Sequence, residues 1–186
     1  MNATSKSGET VSRSNRITSV LIALLVGIST IHCQAQPPNL TADERAAAIE
    51  KMYTDYQKGF PDVPEVEPAE LSKSLDAGRI VLVDVREPRE WAVSRIDGAI
   101  TQADFESKRD SFKDRPIVAY CTIGYRSGQF AKRLAEDGFE ASNLRGSLLA
   151  WAQAGLPLIN DEGETKQVHV YGPQWDLLPD GYESVW

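Results

Sequence analysis

The sequence predicts an α/β domain with a central, mostly parallel sheet and helices on both of its faces. Short apolar runs typical of buried strands, at residues 80–85 and 116–120, alternate with segments of helical periodicity such as residues 127–137. This alternation of element types favours a parallel sheet covered by helices on both faces. The 186 residues, of which 41% are hydrophobic, are enough for one packed domain with shorter segments at its ends.

Residues 1–35 are predicted to be an export signal or a membrane anchor that does not belong to the fold. Three basic residues, Lys6, Arg13 and Arg16, precede an uncharged segment at residues 17–31, and this order is typical of export signals. The apolar part is short for a membrane span. We therefore expect the protein to be exported, either periplasmic or attached to the outer face of the membrane by this segment.

Three fates of this segment stay open. Cleavage after Ala35 would leave Cys121 as the only thiol of the chain, without an internal disulfide partner in an oxidising compartment. Alternatively, Cys33 becomes a lipid-modified N-terminus after cleavage behind His32, although lipoprotein signals prefer a small residue at that position. The third alternative is an anchor that is not cleaved.

Residues 36–65 are predicted to hold a linker and an N-terminal helix. Thr41 and Glu44 form a capping-box pattern that opens a helix ending near residue 57. The stretch at residues 60–68 carries several prolines and is predicted to be extended. The apolar stripe of the helix is expected to pack on the domain and consists of Ile49, Met52, Tyr53 and Tyr56.

Eight further elements are predicted between residues 69 and 154. In order they are a helix at 69–75, a strand at 80–85, a helix near 88–93, a strand around 99–101, a strand at 116–120, a helix at 127–137, a strand near 141–144 and a helix near 147–154. Gly78 is expected to stop the first helix and Gly138 to cap the helix at 127–137, whose N-cap is predicted to be Ser127. The charged segment at 106–115 carries no predicted element.

Cys121 lies between a predicted buried strand and a predicted helix, which is a favourable position for a nucleophile. The first turn of a helix offers unpaired N–H groups and about half a positive charge, so a thiolate there is more acidic than a free thiol. Gly124 lets the connecting loop turn tightly, so that backbone N–H groups can point toward the sulfur, and Arg126 adds a cation. We therefore expect an ionised, accessible thiol. Active residues of parallel sheets lie at the carboxyl ends of strands, where Asp84 and Arg86 also fall.

Four segments resemble those of single-domain rhodaneses and occur in the same order. The pattern Cys-x-x-Gly-x-Arg-Ser at residues 121–127, here called the Cys121 loop, is similar to the active-site loop of that family. The other similar segments are residues 81–91, residues 96–100 and residues 144–157. The resemblance covers residues 66–158 and implies a rhodanese-like three-layer fold. Residues 159–186 then form an aromatic tail, which we expect to pack on the domain rather than to contribute to catalysis.

The resemblance also implies a sulfurtransferase that moves sulfane sulfur from a donor such as thiosulfate to a thiophilic acceptor through a persulfide on Cys121. Asp84 and Arg86 are then expected to support the site as a paired brace, with Glu90 as a candidate partner for Arg86. This chemistry requires no cofactor, and the two cysteines and two histidines of the chain show no metal-ligand spacing. Substrate binding is assigned to Thr122, Ile123, Gly124, Tyr125, Arg126 and Ser127.

The charge balance and the implied chemistry limit the partners. A net charge of −7 argues against nucleic acid. The resemblance implies a small sulfur-containing anion as donor and a thiol or cyanide as acceptor. We expect membrane contact only through the N-terminal segment, and a monomer.

Two other functions stay open. A cysteine phosphatase also places a thiolate under backbone N–H groups beside an arginine, but its loop is one residue longer than the four residues between Cys121 and Arg126. Tyr120 also stands where those enzymes usually carry histidine. The alternative from another class is a binding or sensing module, in which Cys121 holds persulfide or is oxidised and the protein docks a partner without turnover.

Overall fold

The computed structural model describes residues 40–75 and 77–186. Its strands are β1 (Glu65–Val66), β2 (Val81–Asp84), β3 (Ile100–Thr101), β4 (Ile117–Tyr120), β5 (Ala141–Leu144), β6 (Leu158–Asn160), β7 (Gly163–Thr165), β8 (Gln167–His169) and β9 (Glu183–Val185). Its helices are α1 (Ala42–Gln57), α2 (Pro68–Leu75), α3 (Pro88–Val93), α4 (Gln102–Ser107), α5 (Tyr125–Glu136) and α6 (Ser147–Gln153). Short 3-10 segments lie at Arg109–Phe112 and Pro173–Trp175.

Within the described residues, five parallel strands form the central sheet in the order β1, β5, β4, β2, β3. β4 lies in the middle, paired with β2 and β5, and all of its residues are buried. Burial on both faces is typical of parallel strands covered by helices and explains the continuous apolar sequence of β4. Cys121 follows β4 directly, so it lies at the carboxyl end of the central strand.

The strands divide their side chains between two hydrophobic cores, because successive residues of a strand face opposite sides of the sheet. Val118 and Tyr120 of β4 join one core, together with residues of α1, α2 and α6. Ile117 and Ala119 join the other core, together with residues of α4 and α5. The predicted α/β class, with a parallel sheet and helices on both faces, is confirmed.

Helix α5 begins earlier than the sequence predicts. Its N-cap is Gly124 and its first residue is Tyr125, so the prediction that Ser127 is the N-cap was wrong. Gly124 has φ +115°, a left-handed conformation that favours glycine. A Cβ added at Gly124 would lie 2.5 Å from ring atoms of Tyr53, which leaves no room for a side chain. Ser127 is buried inside the first turn of the helix, where its hydroxyl faces the site instead of capping the helix end.

Helix α4 was not predicted, because its sequence is short and runs into the charged segment at 106–115. Thr101 starts this helix by accepting a hydrogen bond from the Asp104 amide at 3.0 Å, which satisfies one free N–H of the first turn. Phe105 of this helix is completely buried. The Phe105 ring stacks on the ring of Phe112 and makes edge contacts with the rings of Phe130 and Phe139. One buried aromatic side chain therefore anchors an otherwise polar segment.

The segments on either side of the central domain pack on the first core. The predicted capping box of α1 is present, with the Thr41 amide 2.8 Å from Glu44 Oε2 and the Glu44 amide 3.3 Å from Thr41 Oγ1. Ile49 and Tyr53 of α1 are buried. On the C-terminal side, β8 pairs in parallel with β9, and the tail contributes buried side chains at Val168, Val170, Leu177 and Leu178.

The predicted export signal, residues 1–35, lies outside the described residues. Among the helices that the structure does describe, none has the length and apolar character that crossing a bilayer requires. The division of the chain at residues 35, 65 and 158 stays a prediction.

Candidate active site

A backbone N–H group of the loop contacts the sulfur of Cys121. The Gly124 amide nitrogen lies 3.1 Å from Cys121 Sγ and donates a hydrogen bond to it. The amide and the hydroxyl of Ser127 face the same sulfur and lower the pKa of the thiol. The carbonyl oxygens of Cys121 and Thr122 face away, because they accept hydrogen bonds from the Leu148 and Leu149 amides of α6 at 3.2 and 3.1 Å. The Cys121 loop therefore presents donors to the sulfur and carbonyl groups to the neighbouring helix.

The environment of Cys121 favours its ionised form. Burial alone would raise the pKa of the thiol, but the positive charge of Arg126 and the hydrogen bonds from Ser127 and Gly124 outweigh burial, so the pKa lies below its ordinary value. A charge-assisted hydrogen bond is stronger than a neutral one, which makes the amide contacts more favourable once the thiol has lost its proton. The predicted thiolate is thus supported by the amides, the hydroxyl and the arginine together.

A second serine, Ser147 of α6, positions the loop; it lies in the family-like segment 144–157, but no role was predicted for it. Ser147 Oγ lies 3.1 Å from the Cys121 amide nitrogen and 3.4 Å from Ser127 Oγ. Ser147 is completely buried and has φ +48°, which is unusual for a residue other than glycine. Such a conformation is often found where the surrounding structure fixes a functional site. Ser147 therefore positions both Cys121 and Ser127.

Arg126 forms a two-point ion pair with Glu90 of α3. Its Nη1 lies 2.7 Å from Glu90 Oε2 and its Nη2 lies 2.8 Å from Glu90 Oε1. Burial alone would raise the pKa of Glu90, but the hydrogen bonds from Arg126 and from the Glu87 amide lower it, so the carboxylate is ionised. The prediction that Glu90 pairs with Arg86 was wrong, since Glu90 bonds instead to the arginine of the Cys121 loop.

Arg86 is occupied by Asp84, as the predicted brace requires. Arg86 Nη2 lies 2.7 Å from Asp84 Oδ2, and Arg86 Nε lies 2.9 Å from Asp84 Oδ1. Arg86 Nη2 also donates to the carbonyl oxygen of Ser94 at 2.5 Å. Both side chains of the pair are fully buried. The pair ties the end of β2 to the chain after α3, and so it supports the element that carries Glu90.

Cys121 is reached through a pocket of about 320 Å³. The residue is only 2% exposed, so the thiol is far less accessible than the sequence predicts. Besides Cys121, four residues of the Cys121 loop line the pocket. The surface of the pocket is mainly apolar. It is lined by Tyr56, Cys121, Thr122, Ile123, Tyr125, Arg126, Tyr171 and Trp175.

Three of these lining side chains come from outside the Cys121 loop and its domain segment. Tyr56 lies on α1, whereas Tyr171 and Trp175 lie in the C-terminal tail; together they are called the flanking rings. The tail was expected only to pack on the domain, but two of its rings line the pocket around the predicted nucleophile. The cluster of aromatic residues after residue 168 was the only sequence signal for this arrangement.

The described residues show no arrangement suited to a metal ion. Within residues 40–75 and 77–186, no group of three or more His, Cys, Asp or Glu side chains is placed to hold one. The polar groups around Cys121 are amides, hydroxyls and a guanidinium, which bind anions and not cations.

Known proteins of one family are similar to this chain in sequence. Residues 67–154 match the sequence model of the Rhodanese-like domain. A sulfurtransferase of Allochromatium vinosum is 37% identical over 107 residues, which cover 54% of this chain and 99% of that protein. The thiosulfate sulfurtransferase GlpE of Actinobacillus succinogenes is 30% identical over 98 residues, which cover 50% of this chain and 88% of that protein.

A solved structure agrees with the fold. The crystal structure of a thiosulfate sulfurtransferase from Pseudomonas aeruginosa superimposes with a TM-score of 0.50 at 21% identity, over 61% of this chain and 23% of that one. At this identity the likeness concerns the fold alone. The chain therefore belongs to the rhodanese-like family, and both relatives described above are named sulfurtransferases.

Proposed function

We propose that the protein moves sulfane sulfur from a donor such as thiosulfate to a thiophilic acceptor, with Cys121 carrying the sulfur as a persulfide. The observation that carries this proposal is the 3.1 Å hydrogen bond from the Gly124 amide to Cys121 Sγ, at the junction of β4 and α5. Donors fixed in place around a sulfur anion stabilise its charge without rearranging during the reaction.

In the first step, the Cys121 thiolate attacks the outer sulfur of thiosulfate. A new S–S bond forms, the S–S bond of thiosulfate breaks, and sulfite leaves with the bonding electron pair. The product is a Cys121 persulfide anion. The Gly124 amide, which donates a hydrogen bond to the sulfur before the reaction, and the Ser127 groups that lower the pKa of the thiol stabilise this negative charge.

In the second step, an acceptor such as cyanide or a thiolate attacks the outer sulfur of the persulfide. The bond to Cys121 breaks, its electron pair returns to Cys121 Sγ, and the acceptor leaves as thiocyanate or as a new persulfide. The charge of the protein returns to its initial state, so the cycle needs no external oxidant or reductant. Arg126, paired with Glu90, keeps a cation beside the regenerated thiolate.

Intact-mass spectrometry under non-reducing conditions tests the persulfide. After incubation with thiosulfate, the protein is expected to gain one sulfur atom that a reductant removes. Cys121→Ser is expected to gain none, whereas Cys33→Ser, which removes the other cysteine of the sequence, is expected to behave as the unaltered protein. An unaltered protein without the adduct would contradict the proposal.

A second candidate function is a sensing or binding module that holds persulfide, or is oxidised, at Cys121 without turnover. The observation in its favour is the 2% exposure of Cys121, since a deeply placed sulfur exchanges slowly with bulky partners. Turnover separates the two functions. An enzyme produces many thiocyanate ions per protein molecule from thiosulfate and cyanide, whereas a sensing module stops after about one.

We also propose that residues 1–35 direct export and that the reaction partners are small molecules. Determining the N-terminus of the protein from its native host distinguishes the three fates of this segment: a start at Gln36, a lipid on Cys33, or a retained Met1. Light scattering of the purified protein tests the expected monomer.

A further inference from the structure

The pocket around Cys121 is built from two sources. The Cys121 loop lies inside the segment that matches the Rhodanese-like domain, residues 67–154. The flanking rings lie outside that segment, on α1 and in the C-terminal tail. The domain therefore provides the sulfur of Cys121, and the segments that flank the domain provide part of the pocket around it. The side chains of these segments influence which donors bind beside Cys121.

The flanking rings and Tyr125 form two aromatic pairs in the lining of the pocket. The rings of Tyr56 and Tyr125 have centroids 5.4 Å apart, and those of Tyr171 and Trp175 are 5.7 Å apart, both within the range of favourable aromatic pairs. Tyr125 is 50% exposed and Tyr171 is 43% exposed. Large rings held in fixed pairs and open to solvent beside a nucleophile offer binding surface to an apolar group.

The charge of the pocket also favours an apolar group over a small anion. Among the described residues that line it, only Arg126 has a formal charge at neutral pH apart from the sulfur. Both terminal nitrogens of Arg126 donate to Glu90, and the guanidinium carbon lies 4.9 Å from the centroid of the Tyr171 ring. A dianion such as thiosulfate would lose its hydration in a pocket whose cation already has both terminal nitrogens paired with Glu90, which is unfavourable.

From the lining and the charge together, we infer that the pocket selects organic sulfane-sulfur donors, in which an aromatic or alkyl group adjoins the transferable sulfur, over inorganic thiosulfate. The inference rests on the proposed function and names its substrate class. A volume of about 320 Å³ accommodates a ring-sized group beside the sulfur and is small for a ligand site. Such a donor buries its apolar part against the flanking rings and presents its sulfur to Cys121.

An aryl thiosulfonate is a suitable probe because it can donate its outer sulfur to Cys121 without any external oxidant or reductant, as the proposed function requires. The Cys121 thiolate attacks the outer sulfur, the S–S bond of the probe breaks, and the sulfinate leaves with the electron pair. The Cys121 persulfide then passes its sulfur to cyanide. Methanethiosulfonate undergoes the same steps with the same charge but without the ring, so the comparison isolates the contribution of the apolar group.

The test compares kcat/KM for benzenethiosulfonate, methanethiosulfonate and thiosulfate, with cyanide as the acceptor. We expect benzenethiosulfonate to exceed methanethiosulfonate by about 10-fold or more, since a larger apolar group in a fitted pocket contributes that much, and thiosulfate to be the poorest donor. Trp175→Ala is expected to reduce the preference for benzenethiosulfonate over methanethiosulfonate, with Trp175→Leu as a variant that retains more packing. The matched control is Trp186→Ala, because Trp186 is 62% exposed and lies outside the pocket.

Each outcome is decisive for one claim. Equal kcat/KM for the three donors, with Cys121-dependent thiocyanate formation intact, overturns the inference and leaves the proposed function standing. A preference that Trp186→Ala reduces as much as Trp175→Ala also overturns it. If no donor yields thiocyanate or a persulfide on Cys121, the proposed function itself fails.

Discussion

The carboxylate of Glu90 and the guanidinium of Arg126 form an ion pair with two hydrogen bonds, of 2.7 and 2.8 Å, that joins α3 to the first turn of α5. Glu90 is fully buried, whereas Arg126 keeps about a quarter of its side chain exposed at the pocket. Because Arg126 also lowers the pKa of Cys121, the pair links the packing of α3 to the ionisation of the Cys121 thiol.

Glu90→Gln is expected to destabilise the protein by about 2 kcal/mol, because it leaves a partly buried arginine without its charged partner. Urea denaturation followed by circular dichroism measures this change. Glu140→Gln serves as the control, since Glu140 is exposed and its replacement should change stability by less than about 0.5 kcal/mol. Equal midpoints for the two variants would show that the pair contributes nothing to folding.

The pH dependence of alkylation reports the ionisation of Cys121. The pKa of Cys121 lies below its ordinary value, so the rate of reaction with iodoacetamide should rise to its plateau at a lower pH than for a free thiol. Because the pKa of Cys121 is lower in the folded state, ionisation of this thiol adds to the free energy of unfolding at high pH. This contribution is lost as the pH falls through the pKa of Cys121 in the folded state.

Arg126→Gln is expected to move the alkylation midpoint to higher pH, because it removes the cation and leaves the Glu90 carboxylate near the sulfur. Arg133→Gln, at an exposed position in the last turn of the same helix, should leave the midpoint unchanged. The role assigned to Arg126 would be wrong if both variants kept the midpoint of the unaltered protein.

The location of Cys121 at the end of β4 could be predicted from the sequence because its signals are local. A buried strand, a cysteine and a glycine follow one another within a few residues, and parallel strands place such a loop at one edge of the sheet. The start of α5 was misplaced because Ser127 is a common N-cap residue, and nothing local shows that Gly124 adopts φ +115° against Tyr53.

The partners of the site depend on contacts between distant segments, which a single sequence does not specify. Only Arg86 was predicted as the partner of Glu90, but Arg86 is paired with Asp84, and Glu90 pairs with Arg126 instead. Tyr171 and Trp175 reach the pocket from the C-terminal tail, outside the segment in which motifs could be identified. Ser147 lies inside a family-like segment, but its hydroxyl meets the Cys121 amide of a different element, and this contact is not visible in the sequence.

Gly124→Ala is expected to lose sulfur transfer and to destabilise the protein by about 2 kcal/mol or more, because the added methyl group meets the buried ring of Tyr53. Gly78→Ala is the matched control: Gly78 also has a left-handed φ, of +65°, but a Cβ there meets no atom within 4 Å. The control should lose about 1 kcal/mol and retain activity. Thermal unfolding and thiocyanate formation measure both effects, and similar losses in the two variants would contradict the steric explanation.

Asp84→Asn is expected to destabilise the protein by about 4 kcal/mol, since it leaves the charge of Arg86 buried without a partner. Asp114→Asn replaces an exposed carboxylate and should change stability by less than about 0.5 kcal/mol. Equilibrium unfolding in urea gives both values. A loss below about 1 kcal/mol for Asp84→Asn would show that the buried pair is not the brace described above.

The release of the donor's leaving group before any acceptor is present tests the central claim most directly. When an excess of thiosulfate is mixed with the protein in the absence of an acceptor, we predict a rapid release of about one sulfite per Cys121, as expected for a covalent intermediate, and no release from Cys121→Ser. Sulfite that appears only after cyanide is added, or that Cys121→Ser also releases, would contradict the formation of a persulfide on Cys121.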